Sequence, residues 1–104
     1  LAATRKWLAS EQAIAFTKAY KAAKAHLVHA PAAQLADELS PFFPDIENNV
    51  LTQCLQDYQK LGCWSEQIAI TDAHYQSMLD IYAFNGAIKE RYPYESVCAR
   101  PPGH

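Results

Sequence analysis

Two helical patterns meet at one glycine in the middle of the chain, and this feature limits the fold to helices packed on helices. Gly62 is the only glycine among the first 85 residues, and the helical spacing of apolar residues before it ends at Leu61. A glycine at such a position is typical of a helix C-terminus, where the chain adopts a left-handed conformation. A second helical pattern starts at Thr71. Trp64 lies between the two patterns and is large and apolar, so we expect the flanking segments to pack over it.

The length and charge of the chain exclude several classes of protein. A chain of 104 residues suits one domain with a core of its own, so we expect a single helical domain over residues 1–104. The net charge of −2 and the pI near 6.0 argue against a nucleic-acid partner, because such proteins carry a clustered basic face. The first residues lack the apolar h-region of a signal peptide and an initiating Met, so we expect a piece of a longer protein.

The first half of the sequence predicts three helices. Thr4 and Ser10 are candidate N-caps, the first for one turn over residues 5–9 and the second for a long helix that reaches about His29. Lysines lie on the solvent side of the long helix, and its apolar face comprises Ala13, Phe16, Tyr20, Ala23 and Leu27. Pro31 suits the first turn of a short helix over residues 31–39, and the prolines and phenylalanines at 41–44 predict a stiff loop.

The second half predicts two further long helices, which makes an all-α fold of four to five helices. Asp45 is the candidate N-cap of the first, whose apolar stripe is Val50, Leu51, Cys54, Leu55, Tyr58 and Leu61. Thr71 or Asp72 caps the second, and its apolar residues predict burial on two sides: Tyr75, Met78, Leu79, Ile81, Tyr82 and Phe84. Asn85-Gly86 ends that helix, a short helix follows, and residues 99–104 are expected to fray.

Cysteine and histidine do not form a recognisable catalytic or metal-binding pattern. Cys54, Cys63 and Cys98 lack the C-x-x-C spacing of a zinc site, so we expect buried free thiols, although a Cys54–Cys63 or Cys63–Cys98 bridge stays open. His26 and His29 have a spacing that suits two metal ligands, but no third ligand is near in sequence, and exposure near a helix C-terminus is the simpler interpretation. We therefore expect no catalytic residues, no metal and no cofactor.

The aromatic residues are interpreted as core. Their helical spacing favours packing over a ligand pocket, and the set comprises Trp7, Phe16, Tyr20, Phe42, Phe43, Tyr58, Trp64, Tyr75, Tyr82 and Phe84. Any members that are exposed would instead mark a surface that docks onto another polypeptide.

An ordered series of short motifs resembles a family of transport proteins. The series runs from Ala-Phe-Thr-Lys-Ala-Tyr-Lys-Ala-Ala at 15–23 and His-Ala-Pro-Ala-Ala at 29–33 to Phe43-Pro44-Asp45, Leu-Gly-Cys-Trp-Ser at 61–65, Ile70-Thr71, Gly86-Ala87-Ile88 and Tyr-Pro-Tyr at 92–94. It is similar to the C-terminal part of the substrate-binding proteins of ABC importers for nitrate, sulfonates, taurine and thiamine precursors. The resemblance covers residues from about Thr4 to Val97, and Ser10-Glu11 stands where the family has Asn-Pro.

The resemblance implies a type-2 periplasmic binding fold, in which two α/β lobes close on a small solute and present it to a membrane permease. This chain would be the helical C-terminal part of one lobe and would support it without catalysis. Because most ligand contacts come from upstream segments, no ligand-binding residue is assigned. Its partners would be the missing N-terminal part, and, through the full-length protein, the ABC permease and the solute. The implied location is the periplasm or the outer face of the membrane.

Two other functions stay open, and the fold itself suggests an assembly state. The chain could be a free-standing helical protein-interaction module, or a fragment of a thiamine-pyrimidine biosynthesis enzyme of the same fold. The enzyme would need a cysteine-rich iron-binding motif, which three scattered cysteines do not supply. Helices that normally cover a sheet expose an apolar face when separated from it, so we expect a homo-oligomer with Trp7, Phe16, Tyr20 or the Ile81/Phe84 edge in the contact.

Overall fold

The computed structural model describes residues 1–103 and has helices but no strands in that range, which confirms the all-α class. Its six helices are α1 (Arg5–Leu8), α2 (Glu11–His29), α3 (Ala32–Leu39), α4 (Asn48–Leu61), α5 (Asp72–Phe84) and α6 (Tyr94–Val97). A 3-10 turn, Ser40–Phe42, follows α3. Helices α1 and α6 are single turns of four residues, so the four longer helices form most of the fold, in line with the expected four to five.

Side-chain caps start three of the helices where the sequence predicts them. The Thr4 hydroxyl accepts a hydrogen bond from the Trp7 amide at 3.2 Å, and the Ser10 hydroxyl accepts one from the Ala13 amide at 3.2 Å. Thr71, rather than Asp72, caps α5, because its hydroxyl accepts from the His74 amide at 3.1 Å. Each cap satisfies one of the amides that a helix N-terminus leaves without an internal partner.

The predicted cap at Asp45 is wrong. The N-cap of α4 is Glu47, which has an extended backbone (φ −62°, ψ 143°) and makes no side-chain cap hydrogen bond. Asp45 lies instead inside a turn that the Ile46 amide closes on the Phe43 carbonyl at 3.1 Å. Because this turn follows directly on the 3-10 turn, the chain reaches helical geometry only at Asn48.

Helices α4 and α5 each end at a glycine in the predicted left-handed conformation. Gly62 has φ 70° and follows α4, and Gly86 has φ 72° and follows α5. Beyond them, the Cys63 amide donates to the Tyr58 carbonyl at 3.3 Å and the Ala87 amide to the Tyr82 carbonyl at 2.9 Å. These bonds satisfy carbonyls of the last helical turn, as in a Schellman motif.

The backbone forms two compact units, and the expectation of a single domain stays a prediction. We call residues 15–67 the continuous unit, and residues 1–14 with 68–103 the discontinuous unit. The expected fraying of residues 99–104 stays a prediction, and His104 lies outside the described residues.

The core of the continuous unit lies between α3 and α4. Its buried residues are Leu35, Ala36, Leu51 and Leu55. Trp64 is half-buried against this cluster, and its ring lies 5.4 Å from that of Tyr58. The expected packing of Trp64 on the helical segment before it is therefore confirmed, and packing of the segment after it stays a prediction. Gln59 of α4 adds a hydrogen bond beside this core, because its side-chain amide donates to the Ala30 carbonyl at 2.8 Å.

The inward side of α2 differs from the predicted apolar face. Tyr20 and Leu27 are half-buried as expected, but Phe16 is 48% exposed and Ala23 is exposed. Lys24, expected on the solvent side, is half-buried, and its ammonium donates to the Gln67 carbonyl at 2.8 Å. The long aliphatic part of a lysine can cover apolar surface while its charge finds a polar partner, so a charged residue can occupy an inward position.

Tyrosines hold the discontinuous unit together. Tyr75 of α5 is 2% exposed, and its hydroxyl donates to the Tyr92 carbonyl at 2.7 Å. The ring of Tyr94 meets Tyr75 edge-on at 5.8 Å, and its hydroxyl donates to the Ile70 carbonyl. Within the same unit, the Arg5 guanidinium donates to the carbonyls of Glu95 and Ser96, each at 3.1 Å.

Candidate functional site

The two histidines near the end of α2 each contact a carboxylate. His26 Nε2 lies 2.8 Å from a carboxylate oxygen of Glu38, and His29 Nε2 contacts a carboxylate oxygen of Glu66. All four residues are exposed, as expected for the histidines. Within residues 1–103, no three His, Cys, Asp or Glu side chains gather as a metal site would require. The structure therefore does not bring a third ligand to His26 and His29.

The contact with His26 has an electrostatic effect on Glu38. The hydrogen bond from His26 lowers the pKa of the Glu38 carboxyl below its ordinary value, and a second hydrogen bond from Gln34 acts in the same direction. A hydrogen bond to the ionised form always favours that form. Glu38 is thus held as an anion on the surface of the continuous unit.

The expectation of buried thiols is wrong for two of the three cysteines. Cys54 and Cys63 are exposed, and Cys98 is half-buried. All three are free, so neither of the disulfides that the sequence leaves open is formed. Cys54 lies on the exposed side of α4, and Cys63 follows the left-handed residue Gly62.

An open cavity of about 440 Å³ lies in the discontinuous unit. Arg5, Tyr94, Glu95, Cys98 and Arg100 line it, together with apolar residues. The Arg5 guanidinium is already occupied by two backbone carbonyls, and the Tyr94 hydroxyl by a third. Two of the polar groups that line the cavity are therefore already engaged in holding the backbone of the discontinuous unit.

Most of the aromatic residues predicted to form the core are exposed instead. Tyr75 is the only fully buried member of that set within the described chain, and Tyr20 and Trp64 are half-buried. The other members are between 37% and 91% exposed: Trp7, Phe16, Phe42, Phe43, Tyr58, Tyr82 and Phe84. Four helices of moderate length bury too few positions to cover so many large side chains.

Helix α4 presents a row of exposed apolar residues next to its buried face. We define the α4 stripe as Val50, Cys54, Tyr58 and Leu61. The spacing of four, four and three residues places them along one line of the helix. Val50 and Tyr58 are each 49% exposed and Leu61 is 74% exposed, so the prediction that this row is buried with Leu51 and Leu55 is wrong.

Helix α5 is also buried on one side only, although its apolar pattern predicts two. Tyr75 and Leu79 are buried in the discontinuous unit. We define the α5 face as the exposed apolar residues of this helix, which are Met78 at 41%, Ile81 at 60%, Tyr82 at 43% and Phe84 at 91%. The second apolar side that the sequence predicts thus exists, but it has no cover in the described chain.

The comparisons with known proteins leave the family open. Neither models of protein families, nor curated proteins, nor solved structures match this chain. In the part of the chain that the structure describes, every helix falls short of the length and apolar character that a bilayer crossing requires.

The exposed row on α4 is the functional feature that reasoning from the sequence missed, whereas the exposed Ile81/Phe84 edge of α5 was expected. A signal for the α4 row was present, since apolar residues on α4 occupy the adjacent pairs 50–51 and 54–55. A single buried side needs only one member of each such pair. An apolar sector this wide indicates a helix with two packing partners, and residues 1–103 leave the outer row of α4 exposed.

Proposed function

We propose that this chain is a helical docking segment that completes one lobe of a solute-binding protein of an ABC importer. The observation that carries the proposal is the ratio of exposed to buried apolar groups. Within residues 1–103, seventeen large hydrophobic residues are exposed and only seven residues form the buried core. Exposed apolar surface on this scale is typical of a polypeptide that packs against another.

The choice of partner rests on the resemblance of the motif series to the C-terminal part of such binding proteins. Under this proposal the α5 face packs on the remaining part of the same lobe. That face suits a buried contact, because its only charged neighbours within α5 are Asp72 and Asp80, and Asp80 is paired with Arg91 at 2.8 Å. The role is non-enzymatic, and the full protein would act outside the cytoplasm and deliver its solute to the permease.

A free-standing interaction module is a second candidate, and the α4 stripe favours it. The continuous unit has its own small core and still presents this apolar row outward. In that case the exposed helices bind a separate protein and no solute is involved. The two candidates differ in whether the rest of a binding protein is encoded upstream of Leu1.

The decisive experiment uses the complete translation product of the gene. We expect strands and a secretion signal upstream, and a rise in melting temperature with one solute among nitrate, sulfonates, taurine and pyrimidines, because a ligand stabilises the state that binds it. As a control, the 104-residue chain alone should give no such rise. A complete product without an upstream lobe, or one that none of these solutes stabilises, would contradict the solute-binding proposal.

A further inference from the structure

Acidic residues flank the α4 stripe, and among the described residues they form no ion pair, whereas Asp80 beside the α5 face is paired with Arg91. Glu47 lies three residues before Val50, and Asp57 lies three residues after Cys54 and four before Leu61. Residues at these spacings are neighbours on a helix surface, so both carboxylates lie beside the stripe. The Glu47 side chain makes no cap hydrogen bond, and the Asp57 carboxylate accepts one only from neutral Gln53, at 2.9 Å.

Acidic residues predominate in the segment that carries the stripe, and Lys60 is the one basic residue of residues 31–61. Residues 31–59 contain no Lys, Arg or His and five acids: Asp37, Glu38, Asp45, Glu47 and Asp57. Among these, only Glu38 forms an ion pair within the described chain, with His26. Such a surface attracts cationic groups and repels nucleic acids and anionic lipids, so its charge selects one class of partner.

The shape of the surface indicates the form of that partner. The stripe covers three helical turns, and at a rise of ~1.5 Å per residue it is roughly 16 Å long. At its N-terminal end, Phe42, Phe43 and Ile46 add further exposed apolar groups at 76%, 43% and 42%. An apolar row with flanking charges matches the apolar face of an amphipathic helix that carries the opposite charge on its borders.

We propose that the α4 stripe is the docking site for a basic amphipathic helix of a partner protein. Leu61, Val50 and Tyr58 contact the apolar face of the partner, and Glu47 and Asp57 pair with lysine or arginine residues along its borders. If two copies docked through their α4 stripes, the Glu47 and Asp57 carboxylates of one copy would face those of the other, and like charges repel. The inference goes beyond the solute-binding proposal and does not depend on it.

The binding test uses a designed probe, an 18-residue helical peptide of leucine and lysine, and a matched peptide with glutamate in place of lysine. Trp64 contacts Tyr58 of the stripe, so its fluorescence in a Trp7→Phe background reports binding. We expect the lysine peptide to bind at least tenfold more tightly than the glutamate peptide. Raising the salt concentration to about 0.5 M should remove most of that difference, because exposed charges are then screened.

Matched variants locate the contact. The pair Val50→Ser and Leu61→Ser should weaken binding at least tenfold, and the pair Glu47→Gln and Asp57→Asn about tenfold at low salt, because each exposed ion pair contributes up to about fivefold. All four positions are exposed, so folding should be preserved, as circular dichroism can verify. The controls Ile81→Ser and Glu90→Gln lie in the discontinuous unit and should bind as wild type does. Equal binding by all variants would overturn the proposal.

Cys54 allows a second test, because this exposed thiol lies within the stripe. In a Cys63→Ser and Cys98→Ser background, the lysine peptide should slow maleimide labelling of Cys54 at least fivefold. In the complete translation product without the peptide, Cys54 should be labelled as fast as in the short chain. Protection of Cys54 in that product would show that its own polypeptide covers the stripe. Protection of Cys54 at high concentration of the short chain would indicate that a second copy covers it. Binding of the short chain to anionic vesicles would indicate a membrane as the partner. Each of these results would overturn the proposal.

Discussion

Gln59 of α4 donates hydrogen bonds from its side-chain amide to two carbonyls at the end of α2, those of Ala30 at 2.8 Å and Leu27 at 3.1 Å. The last carbonyls of a helix have no internal partner, so Gln59 supplies from a distant element what a local cap usually provides. The contact is partly buried and lies within the continuous unit, beside the core cluster.

Replacing Gln59 should therefore destabilise the chain. We expect Gln59→Ala to lower the free energy of unfolding by about 2 kcal/mol, because two partly buried carbonyls lose their donor. The measurement is urea denaturation followed by circular dichroism. Gln56→Ala is the matched control, since Gln56 is exposed on the same helix and should change the unfolding free energy by less than about 0.5 kcal/mol. Equal stability of the two variants would contradict the role assigned to Gln59.

The Tyr75 hydroxyl should matter for the discontinuous unit. Tyr75→Phe removes the hydrogen bond to the Tyr92 carbonyl while keeping the ring, so we expect a loss of about 1 kcal/mol in the free energy of unfolding. Tyr82→Phe removes the hydroxyl of an exposed tyrosine on the same helix and is the control. Thermal and urea denaturation can compare the two variants. If Tyr82→Phe lowered the free energy of unfolding as much as Tyr75→Phe does, the hydrogen bond to the Tyr92 carbonyl would not be the cause.

The left-handed turn at Gly62 gives a prediction that depends on backbone conformation alone. A Cβ at this position would meet nothing within 4 Å, so Gly62→Ala introduces no clash with neighbouring atoms. We still expect it to cost about 1–2 kcal/mol, because an alanine is strained at positive φ. Gly62→Asn should cost less, since asparagine tolerates this conformation better. A higher denaturation midpoint for Gly62→Ala than for Gly62→Asn would contradict a left-handed backbone at this position.

The Glu38 carboxyl predicts a pH dependence. Its pKa is lowered in the folded state from an ordinary 4.5, chiefly by the hydrogen bond from His26, so its contribution to stability is present above that value. The contribution is lost as the pH falls through the folded-state pKa. The difference in unfolding free energy between the wild type and Glu38→Gln should therefore shrink from pH 5.5 towards pH 3. If this difference in unfolding free energy grew as the pH fell, the interpretation of the Glu38 pKa would be wrong.

The α5 face should drive self-association of the chain in solution. Sedimentation velocity over a range of concentrations should show oligomers of the wild type, as expected for exposed apolar residues such as Phe84 at 91%. Ile81→Asp combined with Phe84→Asp should weaken association at least tenfold, because each places a charge in an apolar contact. Ala87→Asp, at an exposed residue after the helix, is the control. A wild type that stays monomeric throughout would contradict the prediction.

Local features were predictable from the sequence because their causes are local. The caps at Ser10 and Thr71 and the left-handed glycines at 62 and 86 each depend on a few neighbouring residues, and all were placed correctly. The cap at Glu47 was missed, because the turn from Phe43 to Ile46 delays the helix and a preference for Asp at caps does not reveal such a turn.

Burial was predicted less well because it depends on what lies beside each helix. On α4, the stripe and the buried pair Leu51 and Leu55 are adjacent rows of similar residues, and periodicity cannot say which row meets α3. The inward position of Lys24 likewise follows from the carbonyl of Gln67, forty-three positions away in the chain. The charge flanking the α4 stripe could be read from the sequence, but its meaning required knowing that the stripe is exposed.

The bonds from Arg5 to the carbonyls of Glu95 and Ser96 join residues that are 90 and 91 positions apart. During synthesis, residues 15–67 emerge complete and can form their α3–α4 core before residues 68–104 have been synthesised. The discontinuous unit must wait until its last helix has left the ribosome, and its first fourteen residues stay without their partners until then. Closing so long a loop early is entropically unfavourable, so prior collapse of the intervening segment brings the two ends closer and favours a fixed order of folding.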